Sequence, residues 1–113
     1  MNQFIERTYN IKNYSIEHLK HLGFYYNKEF SDKCNKYYST RFPVMKYNDH
    51  VSIEGEFTVD ISSGSVQINV YGPKGNKYAP FYNNEYGDHN DILSLINKNI
   101  GKYIRKCKIK KLR

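Results

Sequence analysis

The sequence predicts an α+β fold: a short N-terminal helix, an antiparallel meander of about four strands, and a long amphipathic C-terminal helix packed on one sheet face. Three observations carry this expectation. Residues 51–61 alternate apolar and polar side chains with period two, as a half-buried strand does. Residues 88–107 place apolar side chains at helical spacing and cations on the opposite side. The segments between are rich in Tyr, Phe and β-branched residues and are punctuated by turn-forming clusters. With 113 residues, the length fits a single domain over 1–113.

Residues 1–14 read as an N-terminal arm, either extended or opening a helical turn. Ser15 is the expected N-cap of a helix over 16–22, with Ile16, Leu19 and Leu22 on one face and Gly23 as the stop. Residues 24–30 are aromatic and close to period two, so a strand is expected there, followed by a polar turn over 31–36. A second strand over 37–46 places Tyr38, Thr40, Phe42 and Val44 on one face. Pro43 cannot donate to a ladder, so it belongs at an edge or a bulge. After the Asn48-Asp49 turn, Val51, Ile53, Phe57, Val59 and Ile61 alternate with Ser52, Glu54, Glu56, Thr58 and Asp60; only Gly55 interrupts the apolar register. Residues 62–65 close a hairpin into Val66, Ile68 and Val70. A loop over 72–76 and an irregular aromatic stretch over 77–87 follow. Asp88 is the expected cap of the last helix, with Asp91 in its first turn. Its stripe is Ile92, Ile96, Ile100, Tyr103 and Cys107, flanked by Leu93 and Ile104. Residues 108–113 form a basic tail.

Charge is the most informative property. The chain carries 18 Lys and Arg against 11 Asp and Glu, a net charge of +7. Lys98, Lys102, Arg105, Lys106, Lys108, Lys110, Lys111 and Arg113 fall within residues 98–113, where there is no acid, so the body of the chain is close to neutral. Such a cluster attracts polyanions, nucleic acid foremost, because each neutralised phosphate releases condensed counterions. The plainer alternative is a solvated helix end that complements the macrodipole and keeps the chain soluble. No apolar run is long enough to span a membrane, and no secretory signal is visible, so a cytoplasmic, membrane-free protein is expected. Cys34 and Cys107 stand at no metal-ligand spacing and read as reduced thiols.

The 12 tyrosines and 6 phenylalanines form the second theme. Tyr25, Tyr37 and Tyr71 point away from the expected core and are candidates for base stacking or for a protein interface. Gly72-Pro73-Lys74-Gly75 matches a nucleotide-clamping G-x-x-G loop, but it follows a strand instead of joining helices. Catalytic candidates are few. Glu54 and Glu56 share a strand face and could hold a metal for nuclease chemistry, although an amphipathic strand explains them fully. His50, Arg41 and a Tyr would suit a metal-free nuclease, and His18 and His21 lie three apart without a third ligand. No nucleophile elbow, Cys-His pairing or phosphate-binding fingerprint is present. Neither a cofactor nor a metal is expected.

The stretch Tyr78-Ala79-Pro80-Phe81-Tyr82-Asn83-Asn84-Glu85-Tyr86-Gly87, with the Ile- and Lys-rich helix after it, resembles small phage and mobile-element proteins of AT-rich bacteria, over roughly residues 36–107. The resemblance implies an accessory role that includes countering host defence, in the manner of anti-CRISPR inhibitors, which act by binding. The leading expectation is therefore a non-enzymatic binding protein acting on nucleic acid or on a host nucleic-acid-binding complex. The alternatives are a small RNA or DNA nuclease, and a protein-interaction module or homodimer pairing through an edge strand that contains Pro43 or through residues 66–71.

Overall fold

The computed structural model describes residues 9–11, 15–32, 36–47, 50–83 and 90–111. Side chains are described for these except 47, 50–52, 80, 83, 90–92 and 110–111. Among the described residues, six strands form one antiparallel sheet: β1 (Tyr9–Ile11), β2 (Tyr25–Tyr26), β3 (Tyr37–Tyr47), β4 (His50–Asp60), β5 (Ser65–Tyr71) and β6 (Ile109–Lys111). Their order is β2-β3-β4-β5-β1-β6. The helices are α1 (Ile16–His21), α2 (Ala79–Asn83) and α3 (Asn90–Lys106).

The expected meander is present as β2-β3-β4-β5, and two strands are added beyond it. Tyr9 pairs with Val66 and with Lys111, and Ile11 pairs with Ile109, so β1 bridges β5 to β6. Within the expected arm and basic tail, residues 9–11 and 109–111 belong to the sheet. The reason is burial: Tyr9, Ile11 and Ile109 are all buried in the core. The first strand of the meander is also shorter than the 24–30 expected. Asn27 ends it by turning the chain, its Oδ1 accepting from Phe30 N at 3.2 Å and its carbonyl from Ser31 N at 3.1 Å. Of the six strands, β2 alone has only two residues. The irregular 77–87 stretch contains the single turn of α2, whose Phe81 is fully buried.

One sheet face holds the core. Tyr38, Phe42, Val44, Phe57, Val59, Val66, Ile68 and Val70 pack there with Leu19 of α1 and with Leu93, Ile96 and Ile100 of α3. Ser15 caps α1 as expected, accepting from His18 N at 3.2 Å. The expected cap of α3, Asp88, lies outside the described residues, as does the side chain of Ile92. Pro43 sits at a bulge, since the β3–β4 register shifts between Pro43 and Met45. The extra residue, Val44, offers its carbonyl to Asn99 Nδ2 at 2.6 Å, which ties α3 to the sheet. Gly55 is directly opposite Phe42. A Cβ at that position would run into Phe42 Cε2. The Phe42 ring cannot swing away, because it stacks on Tyr103 at 4.2 Å and leans on Phe57 at 4.7 Å.

The chain leaves α3 through Lys108, whose φ of 56° is left-handed. Its N–H donates to Arg105 O at 3.2 Å, closing the helix C-terminus before β6 begins. A non-glycine residue is strained there, so Lys108→Gly is expected to stabilise the fold by about 0.5–1 kcal/mol in urea unfolding. An unchanged or lowered midpoint would show that the conformation costs nothing.

Candidate functional site

The register sorts the candidate residues onto two surfaces. On the sheet face opposite the helices, three cross-strand rows lie side by side: Ser39, Thr58 and Gln67; Arg41, Glu56 and Asn69; Pro43, Glu54 and Tyr71. Tyr25 joins the first row opposite Ser39, and Tyr37 lies opposite Asp60. The fold thus brings Tyr25, Tyr37 and Tyr71 to one face. A cleft of about 200 Å³ opens there between Phe30, Tyr37, Thr58 and Gln67.

At the centre is Glu56, 1% exposed on a strand face where the alternation predicts a solvated carboxylate. Its Oε2 accepts from Arg41 Nε at 3.1 Å. Its Oε1 accepts from Tyr71 OH at 3.0 Å, and from Thr58 Oγ1 and Asn69 Nδ2 at 3.4 Å. The network continues through Ser39 Oγ, 2.9 Å from Thr58 Oγ1, and Asn27 Nδ2, which donates to Ser39 Oγ at 2.9 Å. Beyond Asn69, Tyr82 OH donates to Asn69 Oδ1 at 3.3 Å and accepts from Val70 N at 2.9 Å. Arg41 also reaches Glu54 at 3.3 Å, and its guanidinium lies 4.7 Å from the centre of the Tyr71 ring. Partial burial on its own would lower the Arg41 pKa. The hydrogen bond and charge of Glu56, with Tyr25 and Glu54 behind them, raise it instead.

Burial, the Glu56 charge and the Glu56 hydrogen bond push the Tyr71 phenol from 10.0 up to about 12. A phenol so raised stabilises the fold fully below about pH 10, and that contribution is lost as pH climbs through 12. A spectroscopic tyrosinate titration of the protein, minus that of Tyr71→Phe, is expected to leave a step near pH 12. A step near the ordinary phenol value would mean that the Tyr71–Glu56 contact is not formed in solution.

This arrangement bears on the nuclease candidates. Arg41 lies against both Glu54 and Glu56, where a cation would have to sit, and the described residues contain no His, Cys, Asp and Glu group able to hold a metal. His50 pairs with Tyr47, six residues along β4 from Glu56, so its backbone lies ~20 Å from the Arg41 row. The trio of His50, Arg41 and a Tyr is therefore not assembled. Tyr71 is not an open stacking platform either, since Arg41 covers its ring and Glu56 holds its hydroxyl.

The second surface is the outer side of α3. Lys98, Lys102, Arg105 and Lys106 are all exposed there, as the helical spacing predicts, and Lys108 is exposed just beyond them. None of them forms an ion pair with a described residue. Lys110 and Lys111 lie on β6 by their backbone, and Arg113 lies outside the described residues. The sheet separates this surface from Tyr25, Tyr37 and Tyr71. The cation beside Tyr71 is instead Arg41 of the sheet. Beneath the stripe, Cys107 is a buried free thiol whose pKa burial raises, which keeps it protonated and inert; Cys34 lies outside the described residues.

Edge pairing through residues 66–71 is likewise closed. β5 is an inner strand, flanked by β4 and β1, and the outward side of Val70 is taken by Tyr78 N and Tyr82 OH. At Pro43 the outer side of β3 has no strand neighbour among the described residues, because β2 pairs only as far as Ser39. No helix among the described residues is long and apolar enough to cross a membrane.

These features define a class: an α+β chain with an antiparallel sheet, its one long described helix on one face and a polar network on the other. No protein-family model and no curated protein matches the chain. Among solved structures it is similar to a DUF1831 family protein from Lactobacillus plantarum, with a TM-score of 0.53 and 14% sequence identity over 95% of this chain and 89% of that one. At that identity the likeness is one of fold.

Proposed function

We propose that this is a non-enzymatic binding protein that captures an anionic macromolecule, either nucleic acid or a host complex that handles nucleic acid, on the outer face of α3. One observation carries the reading: Lys98, Lys102, Arg105 and Lys106 form an exposed stripe that has no ion-pair partner among the described residues. Unpaired cations on a rigid helix create a local potential that phosphate or carboxylate groups would neutralise. Lys108 lies beside the stripe, and Lys110, Lys111 and Arg113 extend it along the chain. The anti-defence role implied by the resemblance over residues 36–107 is part of this proposal and rests on that resemblance.

The test is fluorescence anisotropy with labelled single- and double-stranded DNA and RNA and with polyglutamate, across salt concentrations. Binding is expected to weaken with salt, with a slope in log K of ~0.9 per contacted phosphate on duplex DNA and ~0.7 on single strands. Reversing three charges (K102E, R105E and K106E together) is expected to cost on the order of 100-fold or more at low salt. Unchanged affinity in that variant would overturn the assignment.

A further inference from the structure

A groove of about 310 Å³ runs between α3 and the bulged end of β3. Pro43, Met45, Leu95 and Tyr103 supply apolar surface, and Lys46 and Lys102 supply cations. Lys102 belongs at once to this groove and to the cationic stripe, so the two are continuous. Leu95 is 41% exposed, an apolar side chain on the otherwise polar outer part of the helix.

A phosphate backbone would use the lysines and gain nothing from Leu95. A nucleobase fits poorly too. Tyr103, the aromatic ring of the groove, is stacked on Phe42 and has Lys106 Nζ 5.6 Å from its centre. The amide of Asn99, which could read a base edge, is already donating to Val44 O. Among the described residues no acid lines the groove. An apolar side chain flanked by carboxylates matches both parts of the site, filling the apolar surface while its neighbours meet Lys46 and Lys102.

Building on the anion-binding reading of α3, we infer that the partner of this face is an acidic protein segment with an apolar anchor, and that the α3–β3 groove is the anchor's seat. The probes are fluorescein-labelled octaglutamate, a peptide of equal length with two central leucines among glutamates, and an oligothymidine of equal length. The leucine peptide is expected to bind ~10-fold or more tightly than octaglutamate, the return from burying large apolar side chains. Leu95→Lys keeps the surface soluble and cationic; it is expected to erase that gain without weakening octaglutamate binding. Lys102→Glu is expected to weaken both peptides.

Equal affinity for the two peptides would overturn the inference, as would a leucine gain that survives Leu95→Lys. Oligothymidine binding more tightly than the leucine peptide, with no dependence on Leu95, would also overturn it and assign the face to nucleic acid. In each of those results the anion-binding reading of α3 stands. If no anion binds even at low salt, that reading and the inference fall together.

Discussion

Changing Glu56 to alanine is expected to destabilise the protein by about 3 kcal/mol, a large share of the stability of a domain this size. The cost arises on the donor side. Tyr71 OH, Asn69 Nδ2 and Thr58 Oγ1 all converge on Oε1, and Asn69 and Thr58 are themselves buried. Removing the carboxylate strands these donors and leaves Arg41 with the outer ion pair to Glu54 and the face of the Tyr71 ring. Arg41 is half exposed and can turn to water, which is why the figure lies at the lower end for a broken buried pair. Glu54→Ala is the control. That residue points from the same face to the same arginine, but its side chain is 36% exposed, and exposed pairs contribute ~0.5 kcal/mol. Equal losses for the two variants in urea unfolding would show that the Glu56 network is not formed.

Gly55→Ala is expected to cost about 2 kcal/mol through overpacking. The added methyl meets a Phe42 ring that is held between Tyr103 and Phe57, so relief requires moving α3 or the sheet. The double variant Phe42→Leu/Gly55→Ala separates this cause from any effect on strand propensity. It is expected to lose less than the sum of the two single variants, because the smaller side chain vacates the space the methyl needs. Strict additivity would refute the steric account.

What could be read from the sequence follows the length of each periodic segment. Strand β4 was legible because eleven residues repeat one alternation, and α3 because its apolar stripe runs through several turns. Strands β1 and β6 have three residues each, too few to show a period, and each is defined by a partner far away in sequence. The cationic face of α3 was legible, since helical geometry alone turns Lys98, Lys102, Arg105 and Lys106 outward once the apolar stripe is buried. Glu56 was not. Alternation gives its face correctly but says nothing about burial, which depends on Arg41, Asn69 and Tyr71 arriving from neighbouring strands. A faint signal did exist in Ser39, Thr58 and Asn69, small uncharged polar residues where a solvated face more often carries Lys or Glu. The tyrosines were assigned to the right face, but only the cross-strand register shows that Tyr71 is already engaged.

The pairing of β1 with β6 sets the order in which the molecule can be completed. During synthesis the β3-β4-β5 hairpins emerge with their partners adjacent in the chain and can form early. Residues 9–11 emerge before these hairpins, yet one side of β1 waits for residues 65–66 and the other for residues 109–111 to leave the ribosome. The strand is therefore unpaired until β5 emerges and half-paired until β6 does, and closing this long loop carries the entropy cost that long-range pairing imposes. Lysines in the closing strand suit that role, because charge on a late-arriving edge discourages it from pairing with another unfinished chain.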